Sequence, residues 1–138
     1  MASPAPPERI VSRANRLLTH VRRLGAEPAA YRSQGEVVLE GEHLCSAWAE
    51  RGRAGARASV AIVSDTGWEA PAARALARLA ARTVIVGDAL MAGLSQLESP
   101  PAIAMVVALP APASVLAQQC CLVLDAVQDP GNVGTLLR

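Results

Sequence analysis

The run LDAVQDPGNVGTLLR, residues 124–138, gathers the residue types most able to do chemistry: carboxylates at Asp125 and Asp129, a Pro130-Gly131 turn, the amide of Asn132 and the guanidinium of Arg138. Preceded by apolar residues, it reads as a strand ending at an Asp, a DPGN turn and the start of a helix. Asn132 is a natural N-cap, with Thr135 to Arg138 as the first helical turn. Backbone N–H groups at such a strand-to-helix corner point outward and can hold an anion. The run is not a Walker A loop, since no Lys-Ser or Lys-Thr follows the glycines, and it is not a G-x-G-x-x-G dinucleotide turn. Spacing alone leaves two readings open, a ligand loop and a structural turn. In the second, Asn132 is a helix cap and Arg138 a solvated first-turn residue.

Other constellations are weaker. His43 and Cys45 form an H-x-C pair with no second pair at zinc spacing, so no metal is expected, and Cys45 reads as a small buried hydrophobe. Cys120 and Cys121 fall in the apolar run before the motif, one facing each side of a strand, without a His or charged activator nearby in sequence. Trp48 sits in a helical pattern and is expected in the core. Trp68, in SDTGWEAP, is expected to be more exposed. RGRAGAR, residues 51–57, suits either phosphate or a soluble connection.

The elements that must position these residues are built from an unusual composition. The chain of 138 residues is 51% hydrophobic, which excludes disorder as the default, yet it holds two Trp, one Tyr and no Phe. Its core must therefore be Val, Leu, Ile and Ala, and stacking platforms for bases are scarce. The basic residues are thirteen arginines and no lysine, and the net charge of +1 argues against binding polyanions over the whole surface. Residues 1–35 are different, with six arginines against Glu8 and Glu27. Such a basic arm can meet phosphate, or it can be a solvated helix face. Three cysteines make no disulfide framework and the start lacks a signal-peptide pattern, which together fit a cytoplasmic location. Residues 99–124 carry no charge, but Pro100, Pro101, Pro110 and Pro112 break them into short pieces, so no membrane span is expected.

Residues 1–8 are a Pro/Ala/Ser leader expected to be unstructured to about Arg9. Next, Val11, Leu17, Leu18, Val21 and Leu24 are spaced as in an amphipathic helix, capped by Ser12, closed by Gly25 and lined with Arg13, Arg16, Arg22 and Arg23. Three strand-then-helix units follow: EVVLEG before EHLCSAWAERG, SVAIVS before APAARALARLAAR, and TVIVGD before ALMAGLSQL. A fourth apolar run spans 102–109, and a fifth, CCLVLDAV, spans 120–127. Continuously apolar strands separated by helices predict an α/β fold with a parallel or mixed sheet covered on both faces.

The sequence resembles the SpoU/TrmH-type SPOUT RNA ribose 2'-O-methyltransferases. LDAVQDPGNVGTLLR looks like the first of that family's signature motifs, with D-x-x-x-D-P-x-N-x-G-x-x-x-R matched over 125–138. IVSRANRLLTHVRRL is similar to the family's N-terminal stretch, with its Ser and Asn. YRSQGEVVLEGEHL is similar to the pattern that opens its substrate-binding domain.

The resemblance implies a leader and basic helix over 1–30, an L30e-like RNA substrate-binding domain over 31–109, a linker over 110–119, and the start of a trefoil-knot methyltransferase domain over 120–138. It implies Asn132 and Arg138 as catalytic residues, and Asn15, Arg16, Arg22, Arg23 and Arg32 as RNA-binding residues. Glu40, at a strand end, would fix the following helix through a hydrogen bond. The cofactor implied is S-adenosylmethionine, held by motifs C-terminal to the first one, so these 138 residues alone are expected to be inactive. The partner implied is RNA, ribosomal in preference to transfer RNA, and the full-length protein is expected to be a homodimer. Arg is a poor general base because its pKa lies far above neutrality; holding the neighbouring phosphate and stabilising the developing alkoxide is an equally physical role. An alternative function is a non-catalytic RNA-binding module with the same domain.

Overall fold

A computed structural model describes residues 6–27, 29–51, 57–111, 114–115, 117–118 and 120–137. Its centre is a five-stranded mixed sheet made of β1 (Glu8–Ile10), β2 (Glu36–Glu40), β3 (Val60–Ser64), β4 (Thr83–Val86) and β5 (Ile103–Ala108), in the order β1-β4-β3-β5-β2. β1, β4 and β3 run parallel, whereas β5 is antiparallel to both β3 and β2. The helices are α1 (Arg16–Ala26), α2 (Ala30–Gln34), α3 (Glu42–Arg51), α4 (Asp65–Glu69), α5 (Pro71–Ala77), α6 (Asp88–Ala92) and α7 (Pro130–Leu136).

Period-two alternation divides the core. Val60 and Ile62 of β3 face one side with Val84, Val86, Ala104 and Val106, where Leu18, Val21 and Leu24 of α1 and Met91 of α6 cover them. Ala61 and Val63 face the other side with Ile103, Met105 and Val107, against Cys45 of α3 and Ala73 and Ala77 of α5. All five residues of β3 are buried, as a central strand covered on both faces requires. The alanine-rich composition has its use on the second face, where Ala73 and Ala77 are fully buried and let α5 approach the sheet closely.

The expected strand-helix units are present as β2-α3, β3-α5 and β4-α6, followed by β5, with the short α4 added before α5. Several expectations are corrected. The leader is not unstructured up to Arg9: Glu8–Ile10 pairs parallel to β4, and Ile10 is buried in the core with α1. Residues 1–5 lie outside the described residues. Helix α1 starts at Arg16, where the Asn15 side chain accepts from the Leu17 N–H at 2.9 Å. Ser12 makes only a local turn to Ala14, and the helix runs past Gly25 to Ala26. α2 is an additional helix, ending at Gly35 with φ +65, a left-handed closure that suits glycine.

The largest correction concerns residues 120–127, which form no strand. They are exposed throughout, Leu122 at 60% and Val123 at 80%. A strand needs a hydrogen-bonded neighbour, and among the described residues this segment has none. Helix α7 begins at Pro130 rather than near Thr135. Asp129, not Asn132, is its N-cap, accepting from the Gly131 N–H at 2.7 Å. Proline at the first helical position forfeits no hydrogen bond and brings a φ already suited to a helix.

Candidate functional site

The parallel strands β1, β3 and β4 end side by side at Ile10, Ser64 and Val86. At carboxyl ends of this kind α/β sheets commonly place their ligand-facing groups. Here the residues just beyond the strands are cross-linked. Asp88 accepts from the Thr66 hydroxyl at 2.7 Å and from the Thr66 N–H at 3.1 Å, which joins the starts of α4 and α6. Ser64, buried at the end of β3, accepts from the Gly67 N–H at 2.9 Å, and Arg9 pairs with Asp65 at 2.7 Å. Around them lies a cleft of about 380 Å³ lined by Ser64, Thr66, Asp88, Met91, Pro100, Pro101 and Ala102. Its lining combines the oxygens of Ser64, Thr66 and Asp88 with the apolar surface of Met91, Pro100, Pro101 and Ala102, a composition suited to a ligand with N–H donors and an apolar face.

The hydrogen bonds from the Thr66 hydroxyl and amide, with a smaller one from Ser64, hold the Asp88 carboxyl below its ordinary pKa against a small opposing effect of burial. Since the folded-state value is depressed, the stability linked to Asp88 is present above the unfolded value and is lost as pH falls through the folded one. Thr66→Val should therefore flatten the acid limb of the stability curve below about pH 4, measured by urea unfolding at stepped pH, and leave the neutral limb parallel to that of the parent.

A second cleft, of about 210 Å³, lies by the other end of the sheet and is lined by Leu17, His20, Glu36, Ser59, Val60, Arg82 and Val106. Its polar groups pair among themselves or with neighbours: His20 Nε2 lies 2.8 Å from Glu36, and Arg82 donates to Glu8.

The residues expected from sequence are spread over the molecule. Asn15 is spent as the cap of α1. Arg16 is exposed, and it has no ion pair among the described residues. Arg22 lies across backbone carbonyls, donating to Gly93 O at 3.3 Å and Arg13 O at 3.5 Å. Arg23 pairs with Glu27 one turn on, at 2.8 Å. Arg32 stacks on Tyr31 at 5.4 Å and donates to its hydroxyl. Asn132 is exposed on α7, its N–H bonded to Asp129 O, and Arg138 lies outside the described residues. The structure thus brings Asn132 beside Asp129 and Gly131, but not beside the arginines of α1.

Further corrections concern the weaker expectations. Cys45 is buried as expected, with its thiol pushed up to about 11 by burial. Cys120 and Cys121 are both exposed and lie on no strand. Trp48 and Trp68 are both partly buried against the same cluster, and Arg74 lies over the Trp68 ring at 6.0 Å. Glu40 accepts from Ser95, beyond α6, and so ties β2 to that loop rather than to the helix that follows it. Residues 52–56 of the Gly/Arg stretch lie outside the described residues, while Arg57 donates to Ala80 O at 3.1 Å. The sequence reading missed Ser64, Thr66 and Asp88. The signal for them was present as SDT and GD directly after two neighbouring apolar strands.

The fold matches that of solved RNA methyltransferase structures. The chain superposes on the crystal structure of an RNA 2'-O ribose methyltransferase with a TM-score of 0.70 and 23% identity, over 94% of this chain and 50% of that one. A structure of a TrmH-family RNA methyltransferase from Porphyromonas gingivalis matches with a TM-score of 0.63 and 24% identity, over 88% of this chain and 45% of that one. The SpoU methyltransferase AviRb from Streptomyces viridochromogenes, in complex with AdoMet, matches with a TM-score of 0.53 and 20% identity, over 70% and 34%. No protein-family model and no curated protein matches the chain. The fold is therefore that seen within SpoU- and TrmH-type methyltransferase structures, and the chain spans about half the length of the first of these.

AdoMet is bound in some of those structures. In this chain the residues of the motif run do not fit it. Residues 120–129 are exposed, and the clefts described above are lined by the five-stranded body alone. No cradle for a nucleoside sulfonium is formed among the described residues.

Proposed function

We propose that this chain is the RNA-recognition part, with the first catalytic motif, of an S-adenosylmethionine-dependent RNA ribose 2'-O-methyltransferase of the SpoU/TrmH type, acting on ribosomal RNA. The observation that carries the proposal is a coincidence: the fold of a methyltransferase structure over 94% of the chain, together with the D-x-x-x-D-P-x-N-x-G-x-x-x-R run at residues 125–138. In this reading the recognition unit is L30e-like and takes in β1 and α1 as well as residues 31–109. Residues 110–119 link it to a knotted catalytic domain that begins at 120, binds the cofactor through later motifs and pairs with a second copy. Asn132 and Arg138 serve the reacting ribose, with Arg138 holding the adjacent phosphate and stabilising negative charge on the 2'-oxygen.

Recognition rests on phosphate contacts by α1 and on the cleft at the strand ends, whose acceptor wall suits the amino edge of an unpaired base. Arg16 is exposed and has no ion pair among the described residues, whereas Arg22 also buttresses backbone carbonyls. Arg16→Gln should weaken RNA binding about fivefold, uniformly across sequences, and reduce the slope of log K against log salt by about 0.7–0.9, measured by filter binding or fluorescence anisotropy. An unchanged slope would remove Arg16 from the interface.

The function itself is tested by disrupting the coding sequence in the source organism and mapping ribose methylation of its RNA by resistance to alkaline hydrolysis. The expected result is loss of one 2'-O-methyl group from ribosomal RNA. Loss from transfer RNA instead would move the target. A full set of ribose methyls in both, with RNA binding retained by the purified chain, would favour the non-catalytic module.

A further inference from the structure

The polar side chains of the strand-end cleft have spent their donors on one another. The Thr66 hydroxyl and N–H both donate to Asp88, at 2.7 and 3.1 Å, and the Ser64 hydroxyl gives the same carboxylate a weaker hydrogen bond. Ser64 in turn accepts from the Gly67 N–H at 2.9 Å, and its own N–H is bonded to Ala102 O. What these side chains can still do is accept. An ionised carboxylate accepts at about four positions and a hydroxyl at about two, so Asp88 keeps a free position and Thr66 Oγ1, 2.7 Å from it, keeps its own. The same hydrogen bonds keep Asp88 ionised, and its negative charge turns phosphate away. The rest of the lining is Met91, Pro100, Pro101 and Ala102, and the two prolines have no N–H to offer. A ligand that fits must present neighbouring N–H donors and a flat apolar face.

We propose that this cleft binds the Watson–Crick edge of one unpaired guanine, with its N1–H and N2–H groups donating to Asp88 and Thr66 and its ring lying on the proline and methionine surface. The inference rests on the reading of the chain as an RNA-recognition unit, and it names the base which that unit selects. Of the four RNA bases, only guanine presents two donors side by side on this edge. Uracil offers one donor between two acceptors. Adenine and cytosine set an amino group beside a ring nitrogen, whose lone pair would face an oxygen lone pair here. Polar groups left facing without a proton between them lose their water and gain no partner, and this is the origin of the discrimination. A polyamine would satisfy Asp88 but would leave the apolar surface uncovered. Among the described residues, none from the 125–138 run lines the cleft, so the guanine is a recognition base and not the nucleotide that reacts.

The test uses the purified 138-residue chain and short uridine-rich RNA oligonucleotides that differ only at one central position, with binding read by fluorescence anisotropy. Guanine at that position should bind about 5- to 150-fold more tightly than adenine, cytosine or uracil, the range of one well-made base contact. Inosine, which lacks only the N2 amino group, should lose at least about fivefold relative to guanine. Asp88→Asn, which sets an amide donor in the cleft, should bring all of these oligonucleotides to near parity while the salt-dependent phosphate contribution persists. Independently of how that variant folds, 6-thioguanine at the central position, photo-crosslinked to the parent chain, should attach to Met91 or to residues 100–102. Equal binding of every oligonucleotide, a preference for adenine or cytosine, or crosslinks confined to α1 would overturn the guanine site and leave the RNA reading standing. Binding of none of them would overturn that reading as well.

Discussion

Gly67→Ala should cost this protein about 2–3 kcal/mol of stability, which for a chain of this size corresponds to a fall in Tm of roughly 10 °C. Gly67 is buried in α4, and a Cβ added there would collide with the backbone carbonyl of Ala102. The colliding atom cannot move freely, because Ala102 O accepts the Ser64 N–H at 2.9 Å and so closes the ladder between β3 and the start of β5. Either α4 shifts, breaking the Ser64–Gly67 cap and pulling Thr66 from Asp88, or the sheet gives up a hydrogen bond. Urea unfolding followed by circular dichroism measures the cost. A change within about 0.5 kcal/mol, the range of an ordinary surface substitution, would show that the approach of α4 to residue 102 is looser than described. Because Gly67 adjoins Thr66 and lies against Ala102, both of which line the strand-end cleft, the same variant should also weaken any ligand held there.

On the function proposed above, Arg138→Ala, introduced at the chromosomal locus, should reduce methylation of the target ribose by about 100- to 1000-fold in rate, the usual loss when one preorganised charge stabiliser is removed from a reacting oxygen. The readout is the methylated fraction of RNA made in a short pulse, with protein abundance followed in parallel so that a folding defect is not mistaken for a chemical one. Arg138→Lys separates the two parts of the proposed role, stabilising charge on the 2'-oxygen and holding the phosphate bidentately. A lysine retains the charge but not the planar fork, so partial retention points to charge stabilisation and a loss equal to that of alanine points to bidentate positioning. Methylation at the parental rate in Arg138→Ala would remove the residue from the chemistry.

Much of the sheet was readable because β-branched runs declare themselves. Residues 60–64, 83–86 and 103–108 are so continuously apolar that they had to be buried strands, and the helices between them followed from spacing. β1 was not readable. Its three residues, ERI, carry no periodicity, and it exists only because β4 offers an edge at the right distance and Ile10 drops into the pocket above α1. The segment 120–127 failed in the opposite sense: its pattern is that of a strand, but a pattern supplies only one half of a ladder. The same division holds for the candidate site. Asn132 and Arg138 were singled out by the family resemblance of the run that holds them, since spacing alone left a structural turn equally open, whereas Ser64, Thr66 and Asp88 come together only through the parallel pairing of β3 and β4, which sets residues more than twenty positions apart side by side.

What the sequence determined by itself was therefore the α/β class, the amphipathic character of α1, the use of alanine in place of aromatic bulk, and the motif run at 125–138. All of these depend on local covalent character and on the short periods of helix and strand. The strand order, the edge position of β1, the cleft at the strand ends and the choice of Asp129 over Asn132 as the cap of α7 were decided by tertiary structure. Each depends on which hydrogen-bonding or packing partner is present in space, and a partner distant in sequence leaves no mark on the residues that wait for it.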